Sequence, residues 1–519
     1  MGSLILGIAA VIAALFALAA AYVYGLFGRH LQGAPSFALP PARDETEIDR
    51  LATALVEGQA GKSGAVLIGD NIDAFSARAV SARQAGRSLD LQYYYWKNDL
   101  TGKLLTREII AAADRGVRVR LLLDDINAGL HDRMCLSLDA HENIEVRLFN
   151  PSRARTDRLR RGFEMMLRPL SATRRMHNKA WIADGHVAIA GGRNIGDAYF
   201  DADERANFRD LDVWMVGPVV QQAAEMFDQY WNSGVVLPIG ALRTPRRHYL
   251  PQLRYRLERR ATTQEARHYL EEVERDMATG ALFTGEGDIC WTQEVRLVSD
   301  PPEKAHLQKR RNWIMQELLP VLTSAQQDIR IISPYFIPGK QGTARIADLT
   351  GRKVEVSILT NSLAATDVAA VHGAYANYRK QLLRSGVALY ELKAVHAPGE
   401  RRRMSLFGSR GASLHTKAFT VDGATAFVGS MNFDPRSASL NTEMGMLFTH
   451  PDLVAGVNAL FAEETRDVNS FRLALKGERL EWFDREEGAA RRLMREPEAG
   501  FLRRATAGII RILPIESQL

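Results

Sequence analysis

A segment that occurs twice with the same internal spacing constrains this chain more than any other feature. The first copy begins at His177 and the second at His415. In each copy Lys, Asp and Gly follow the His after two, seven and eight positions, and Gly, a small residue and Asn follow after 14, 15 and 17. The shared positions are His177, Lys179, Asp184, Gly185, Gly191, Gly192 and Asn194 in one copy, and His415, Lys417, Asp422, Gly423, Gly429, Ser430 and Asn432 in the other. Six shared offsets indicate an internal duplication rather than a chance His-x-Lys pair.

The duplication extends to the segments that precede the motif. β-rich stretches at 88–96, 116–123 and 144–149 correspond to 328–336, 353–359 and 386–392, with helical patterns between them such as 104–115. This alternation predicts parallel β-α-β units with helices on both faces of a sheet. We therefore predict an α/β fold, in which two similar α/β/α sandwich domains with mixed, largely parallel sheets form one shared active site.

The length of 519 residues is too great for one ordinary domain and suits two such halves. We predict a transmembrane anchor at 4–27, a linker and entry segment at 28–60, a first domain at 61–240, a basic connector at 241–290, a second domain at 291–465 and a basic, amphipathic tail at 466–519.

The N-terminus is apolar. Residues 4–27 form 24 positions without a charge, and a membrane-spanning helix needs about 20. The alternative is a secretory signal peptide with a small-residue cleavage site at 19–21, but no Lys or Arg precedes the apolar run. The basic residues Arg29 and Arg43 follow it, which favours a catalytic body on the cytoplasmic side.

Charge and cysteine content restrict the possible partners. The net charge of +6 does not by itself indicate a nucleic-acid-binding protein, and the two cysteines lie far apart without zinc-ligand spacing. Seven arginines crowd into the connector at 243, 246, 247, 254, 256, 259 and 260, and residues 500–514 also mix basic and apolar positions. These stretches are either solvated helices or surfaces that settle on anionic lipid headgroups.

The spacing of the motif predicts its geometry. Residues two apart in a strand project from one face, so each His should point with its Lys. Asp184-Gly185 and Asp422-Gly423 are typical of hairpin turns, and so the two aspartates are expected to orient or turn the chain. Small residues at 191–192 and 429–430 would let a ligand approach the backbone, with Asn194 and Asn432 beside the mouth.

These residue types suit displacement at the phosphorus of a phosphodiester. A His can attack phosphorus or transfer protons near neutral pH. Two lysines and two asparagines, with Gly192 and Ser430, can hold the non-bridging oxygens as charge develops. The sequence contains no convincing metal-ligand cluster, so we expect neither a metal nor another cofactor.

Acidic residues downstream of each motif are candidates to orient the histidines. Glu443 begins a strand-like stretch in the second half, and either Asp210 or Asp212 does so in the first. The sequence does not separate Asp210 from Asp212.

The chain resembles the phospholipase D superfamily over residues 60–465, and within it the bacterial cardiolipin synthase branch. The likeness rests on the duplicated motif and on the stretches 91–96, 174–179 and 191–197. It implies that His177 forms a phosphohistidine and that His415 acts as general acid and then base, although the two roles could be exchanged. The stretch Arg-Asp-Leu-Asp at 209–212 departs from the Arg-Asp-Thr-His of some cardiolipin synthases.

The resemblance predicts a phosphatidyltransferase of a bacterial inner membrane. The acceptor would be the hydroxyl of phosphatidylglycerol, with phosphatidylglycerol or phosphatidylethanolamine as donor and cardiolipin as product. One alternative is a phosphodiesterase that uses water on phospholipid or, less favoured because of the anchor, on nucleic acid. The other is an inactive membrane scaffold, against which both intact His and Lys pairs argue. The oligomeric state stays open.

Overall fold

The structure is a computed structural model. It describes residues 7, 14–15, 17–18, 32–152, 164, 173–203, 207–244, 246–275, 282, 288–306, 313–394, 412–486, 489–511 and 516–518. The predicted anchor at 4–27 lies almost wholly outside these residues. Within them, no helix combines the length and the apolar character needed to cross a membrane.

The described chain alternates strands and helices in both halves. The strands are β1 (Ser63–Ile68), β2 (Ser88–Tyr93), β3 (Arg118–Asp124), β4 (Ile144–Phe149), β5 (Ala180–Ala183), β6 (Val187–Gly191), β7 (Asn207–Arg209), β8 (Asp212–Val216), β9 (Val236–Pro238), β10 (Cys290–Thr292), β11 (Val295–Ser299), β12 (Asp328–Ile332), β13 (Glu355–Asn361), β14 (Ala388–Leu392), β15 (Ala412–Leu414), β16 (Ala418–Val421), β17 (Thr425–Gly429), β18 (Met444–Phe448), β19 (Ser470–Lys476), β20 (Arg479–Glu486) and β21 (Ala489–Leu493). The helices are α1 (Glu47–Val56), α2 (Asn71–Gln84), α3 (Leu100–Asp114), α4 (Asp125–Leu138), α5 (Pro218–Trp231), α6 (Ile239–Leu242), α7 (Tyr249–Ala261), α8 (Gln264–Arg275), α9 (Ile314–Thr323), α10 (Gly339–Gly351), α11 (Ala369–Tyr375), α12 (Arg379–Arg384), α13 (Pro435–Ser439), α14 (Pro451–Glu464) and α15 (Phe501–Ile510).

The two halves have the same sheet topology. The first sheet has the order β10-β1-β8-β6-β5-β2-β3-β4-β9, and the second β11-β18-β17-β16-β12-β13-β14-β19-β20-β21. In each, three neighbouring strands run parallel, β2-β3-β4 and β12-β13-β14, and antiparallel strands flank them. The predicted two-domain α/β fold with mixed sheets is therefore confirmed, but the expectation that the sheets are largely parallel is wrong, because only three neighbouring strands of each sheet run parallel.

The core lies in three layers around the two sheets. Alternate residues of β5 face opposite sides: Trp181 joins the cluster under α2 and α3, whereas Ile182 faces the other half. The cluster that contains Ile182 also includes Phe227 of α5, Met446 of β18 and Val457 of α14. One apolar cluster thus joins both halves, which is why two duplicated domains form a single unit.

A proline begins the corresponding helix in each half. Helix α5 starts with Pro218 and α14 with Pro451, each at the first helical turn, where the missing N–H costs no hydrogen bond. Both helices directly follow the last strand of a duplicated motif, β8 or β18, and both pack in the cluster shared by the two halves.

The structure places the connector and the tail differently from the prediction. The connector at 241–290 contains α7 and α8, whose Leu253 and Tyr269 are buried in the core of the first domain, and β10 extends the first sheet. In the predicted tail at 466–519, β19, β20 and β21 extend the second sheet. Hydrophobic burial and strand pairing therefore draw both segments into the domains, which charge composition alone does not indicate.

Candidate active site

The aspartate of each motif occupies a turn. Asp184 and Asp422 have φ angles of 51° and 53°, a conformation that Asp tolerates better than most residues, and each is followed by a glycine with positive φ. The Asp184 carboxylate accepts hydrogen bonds from the backbone N–H groups of Gly86, Arg87 and Ser88, at 2.8–3.0 Å. The Asp422 carboxylate accepts hydrogen bonds from the backbone N–H groups of Gln326, Gln327 and Asp328.

The two motif aspartates, counted with His, Lys and the downstream acids as candidate catalytic residues because they belong to the repeated motif, lie in turns away from the histidines. Each fastens the β5–β6 or β16–β17 hairpin to the start of the neighbouring parallel strand, β2 or β12. Neither Asp184 nor Asp422 lines the cavity that contains the histidines. The turn role expected from the Asp-Gly pair is the one that the contacts support.

His177 lies just before β5 and is held by both halves. The N–H of Met176 donates to Asp124 at the end of β3 (2.8 Å), and the N–H of His177 donates to the carbonyl of Thr442 (2.9 Å). The hydroxyl of Thr442 in turn donates to the side chain of Asn178 (2.8 Å). The backbone of the first His is thereby fixed to the second half.

His415 has the reciprocal arrangement. It follows β15, which pairs with β7 of the first half in a two-stranded parallel sheet. The N–H groups of His415 and Thr416 both donate to the carbonyl of Arg209, at 2.8 and 2.9 Å. Each His therefore precedes its predicted strand rather than lying within it, and each is tied to the opposite half.

The acid that contacts each His also comes from the opposite half. His177 Nδ1 lies 2.8 Å from Glu443 Oε2, and His415 Nδ1 lies 2.5 Å from Asp210 Oδ2. All four side chains are buried. In the sequence each acid follows the motif of its own half, which suggests that it contacts the His of that motif. Only the folded chain shows that the two motifs exchange acids.

The register of the sheets identifies Asp210 as the counterpart of Glu443. Gly191 pairs with Asp212, and Gly429 pairs with Gly445. Asp210 and Glu443 each lie two residues before these partners, just ahead of β8 and β18. Asp212 is removed from the histidines: its carboxylate binds Arg78 at 2.8 Å and lies 3.5 Å from Arg193. Of the two candidates that the sequence left open, Asp210 contacts a motif histidine and Asp212 contacts Arg78 instead.

Both motif lysines are buried next to the histidine backbones. Lys179 Nζ donates to the His177 carbonyl at 2.5 Å, and Lys417 Nζ lies 2.8 Å from His415 Nδ1 and donates to the His415 carbonyl. Burial lowers the pKa of Lys179 to about 7, and the nearby Lys417 adds to this effect although Glu443 opposes it. Burial likewise lowers the pKa of Lys417 to about 8, against the attraction to Asp210 and Glu443. An anion at this position would stabilise the charged form of both.

The two imidazoles are predominantly neutral at pH 7. Burial lowers the pKa of His177, and the attraction to Glu443 only partly opposes it. Burial and the nearby Lys417 lower the pKa of His415 to about 4, although Asp210 acts in the other direction. For Asp210 and Glu443, burial acts to raise the pKa, but the attraction to His415 and His177 leaves both below the ordinary value. The carboxylates are therefore ionised and hold the Nδ1 atoms, which leaves each Nε2 for chemistry.

Both histidines open into one cavity of about 360 Å³. Its wall includes aromatic residues that the motif did not indicate. The ring centroid of Tyr94 lies 5.2 Å from that of His177, and those of Tyr199 and Phe208 lie 5.1 and 4.9 Å from that of His415. The hydroxyl of Tyr199 is also 3.4 Å from His415 Nε2. Tyr94 belongs to the β-rich stretch 88–96, and no shared offset of the motif points to Tyr199.

The four residues predicted to bind phosphate take two different positions. Asn194 and Asn432 line the cavity, and their buried side-chain oxygens have no hydrogen-bond partner among the described residues. The hydroxyl of Ser430 instead donates to Glu443 at 2.5 Å. At Gly192, a Cβ atom would come within 2.6 Å of the Asp210 carboxylate. Ser430 and Gly192 therefore position the acids, one by a hydrogen bond and one by its small size.

Two groups of side chains among the described residues have spacing suited to a metal ion. They are Cys290 with His450 and Asp452, and His372 with Glu391 and Glu496. Neither group includes a residue of the cavity. The expectation of a reaction without a metal or cofactor remains a prediction.

Comparison with known proteins agrees with this geometry. The family model described as "Cardiolipin synthase, PLD-like domain" matches residues 81–231 and 318–465, which contain the two motifs and both acids. The chain belongs to the cardiolipin synthase branch of the phospholipase D superfamily. The resemblance stated from the motif is confirmed, as is the prediction of a phospholipid-modifying transferase.

Individual relatives of this cardiolipin synthase family cover most of the chain. Cardiolipin synthase C of Escherichia coli (strain K12) is 41% identical over 485 residues, which are 90% of this chain and 99% of that protein. A cardiolipin synthase of Geobacillus sp. (strain WCH70) is 28% identical over 76% of this chain and 65% of its own length. The crystal structure of phosphatidylserine synthase from Haemophilus influenzae Rd KW20 shares the fold, with a TM-score of 0.57 at 14% identity, over 90% of this chain and all of that one.

Proposed function

We propose that this protein makes cardiolipin by transferring a phosphatidyl group, through a phosphohistidine at His177, to the hydroxyl of phosphatidylglycerol. The observation that carries the proposal is the reciprocal pair of histidines. Each is buried, neutral and held through Nδ1 by a carboxylate of the other half, and both open into one cavity. Two-step displacement needs one nucleophile and one proton carrier on the same phosphorus, which this arrangement provides.

In the first step, Nε2 of His177 attacks the phosphorus of the donor lipid. Glu443 and the carbonyl of Ser430 (3.0 Å) both lie at Nδ1, so they favour the tautomer with its proton there and its lone pair on Nε2. The bond to the headgroup oxygen breaks, and this oxygen takes a proton from His415. The bound phosphodiester raises the pKa of His415 above its value in the empty site, because its negative charge favours the imidazolium.

In the second step, neutral His415 removes the proton from the acceptor hydroxyl, whose oxygen then attacks the phosphorus. The P–N bond breaks and His177 is regenerated. With phosphatidylglycerol as both donor and acceptor, the products are cardiolipin and glycerol, whereas phosphatidylethanolamine as donor would release ethanolamine.

The lysines and asparagines stabilise the charge of the transferring group. Lys179 and Lys417 are already desolvated, so their attraction to the phosphate oxygens is strong and requires little rearrangement. The amide groups of Asn194 and Asn432 line the same cavity and can donate to the remaining oxygen.

A membrane location follows from the substrate. We propose that residues 4–27 anchor the chain in the inner membrane and that the catalytic body lies on the cytoplasmic side. The uncharged run of 24 residues and the arginines that follow it support this orientation.

The test is a product analysis of the purified full-length enzyme in vesicles of phosphatidylglycerol, with and without phosphatidylethanolamine. We expect mass spectrometry to detect cardiolipin, with glycerol or ethanolamine as the second product. Phosphatidic acid without cardiolipin would show that water is the acceptor and would overturn the proposed transfer. Loss of activity with EDTA would contradict the proposed mechanism without a metal.

A further inference from the structure

Helix α15, near the C-terminus, turns an apolar face to solvent. Phe501, Leu502 and Ile509 are 78%, 80% and 59% exposed, whereas Ala507 on the other side is buried. Leu502, Thr506 and Ile509 follow the helical spacing i, i+4, i+7, so they share one face. A helix on the surface of a soluble domain normally has the reverse arrangement, with its apolar residues toward the core.

The exposed apolar residues form part of a larger patch. Met494 is 56% exposed and lines the same cleft of about 900 Å³ as Phe501. Basic side chains border the patch, with Arg495, Arg504 and Arg511 in the wall of this cleft. An apolar face bordered by arginines is typical of a helix that lies in the plane of an anionic lipid surface.

The acidic residues of the cleft do not cancel this charge. Glu496 pairs with Arg379 and lies 3.2 Å from His372. Glu478 pairs with Arg384. The cleft therefore presents a net positive border to an anionic partner.

The patch lies beside a segment that lines the catalytic cavity. Helix α15 packs closely on α11: a Cβ atom at Gly373 would lie 2.7 Å from the carbonyl of Ala507. Arg503 donates to the carbonyl of Thr366, and Val368 and Val371, a few residues further, line the catalytic cavity. Val368 is itself 36% exposed. The helix that carries the exposed apolar residues thus packs directly on the segment that lines the active-site cavity.

We propose that α15 and Met494 form a docking surface that inserts into the headgroup region of an anionic bilayer and places the catalytic cavity at the lipid surface. The proposal rests on the lipid substrate of the proposed function, because a lipid must leave the bilayer to reach buried histidines. An apolar surface beside the cavity would shorten the exposure of acyl chains to water.

Fluorescence quenching in proteoliposomes tests this surface with the full-length chain. The dye NBD is attached to Leu502→Cys or Ile509→Cys in a Cys290→Ser background, where Cys135 stays buried. The matched control is Asp452→Cys, whose native side chain is 83% exposed. Asp452 follows the end of β18 that points away from the histidines. We expect doxyl lipids in vesicles of phosphatidylglycerol and phosphatidylethanolamine to quench the dye at 502 and 509, but not at 452.

Two outcomes would overturn the proposal. Quenching at 502 and 509 that is absent, or no stronger than at 452, would show that α15 is not the surface that enters the lipid. A dye at 502 that is already shielded in detergent solution, together with a dimeric mass, would show that a second copy of the chain covers the patch. The quenching does not depend on turnover, so an enzyme that fails to make cardiolipin but is quenched at 502 and 509 would overturn the proposed function alone.

A matched activity measurement separates docking from folding. We expect the double variant Leu502→Ser/Ile509→Ser to lower turnover of vesicle phosphatidylglycerol about tenfold, because two apolar side chains no longer insert. Hydrolysis of the water-soluble diester bis(p-nitrophenyl) phosphate and the melting temperature should stay unchanged, since both side chains are exposed. Unchanged turnover of vesicle lipid would contradict the docking surface.

Discussion

His177 and His415 acquire their properties from neighbours that are distant in sequence. An exposed His would titrate near pH 6.5, but burial lowers the pKa of both, to about 4 for His415. The carboxylates of Glu443 and Asp210 fix Nδ1 and leave Nε2 available. The difference between a nucleophile and a general acid must then arise from where the donor's leaving group lies.

Substitution of the two histidines should separate these roles. We expect His177→Asn and His415→Asn each to lower cardiolipin synthesis at least about 10³-fold. With a phosphatidyl ester of p-nitrophenol, whose leaving group needs no proton, His415→Asn should still release one equivalent of p-nitrophenol and accumulate a covalent adduct detectable by mass spectrometry. An adduct in His177→Asn but not in His415→Asn would exchange the roles, and substantial turnover by either variant would contradict a shared site.

The two aspartates near β8 should respond differently to substitution. Asp210→Asn removes the charge that holds His415, so we expect kcat to fall about 10²–10⁴-fold with little change in melting temperature. Asp212→Asn weakens the buried pair with Arg78 and should chiefly lower the melting temperature. Measurement of kcat and thermal unfolding for both variants decides between them, and the reverse pattern would assign the orienting role to Asp212.

The buried lysines predict how activity depends on pH. The pKa of Lys179 is lowered to about 7 and that of Lys417 to about 8 by burial. Above these values the lysines of the free enzyme lose their charge and attract an anionic phosphodiester less strongly. We therefore expect kcat/KM for a soluble diester to decline as the pH rises through about 8. A profile that stays flat from pH 7 to 10 would show that the lysines remain charged.

Hairpins β5–β6 and β16–β17 show how one local element positions the catalytic residues. Each hairpin begins one residue after a motif lysine and ends at a glycine whose cross-strand partner, Asp212 or Gly445, lies two residues after the orienting acid. The aspartate in its turn fastens it to the start of the neighbouring parallel strand. These contacts predict that the Asp of the motif acts on the rigidity of the site rather than on the substrate.

Removal of that carboxylate should reduce stability more than catalysis. Asp184→Ala loses three backbone hydrogen bonds and places a residue with a Cβ and no local polar contact at positive φ. We expect the free energy of unfolding to fall by about 2–4 kcal/mol. Asp184→Asn, which tolerates positive φ, should lose less. Urea denaturation measures both, and a large loss of kcat in a well-folded Asp184→Asn would argue for a direct catalytic role.

The two halves of the assembled chain depend on each other through both the site and the core. The cluster around Phe227, Met446 and Val457 continues from one sheet to the other. Backbone hydrogen bonds from His177 and His415 cross the same boundary. Each motif histidine is paired with a carboxylate of the other half.

Unfolding should reflect this shared core. We expect calorimetry of the detergent-solubilised enzyme to show one main cooperative transition, and Met446→Ala to destabilise the whole by about 2–5 kcal/mol because it leaves a cavity between the halves. A matched change at a partly buried position, such as Met315→Ala, should have a smaller effect. Two separate transitions, of which Met446→Ala shifts only one, would show independent domains.

Much of this protein is determined by local features of the sequence. The repeated spacing specifies two like halves, because the same strand, turn and glycine positions must serve the same backbone twice. The Asp-Gly pairs specify the turns through their tolerance of positive φ, and the hydrophobic alternation specifies strands such as β4 and β14. His177, His415, both lysines and both asparagines could all be recognised from the motif alone.

The tertiary structure decided what depends on distance between remote segments. The sequence could not choose between Asp210 and Asp212, nor show that each acid serves the His of the other half, because a carboxylate has no local signature of its partner. Phe208 entered the site through the pairing of β7 with β15 across the halves, and Tyr199 through a 3-10 helix at Asp197–Tyr199. Strands β19, β20 and β21 joined the sheet although their composition suggested a tail. Pairing and burial are properties of the packed chain, and in this enzyme they convert a repeated motif into one active site.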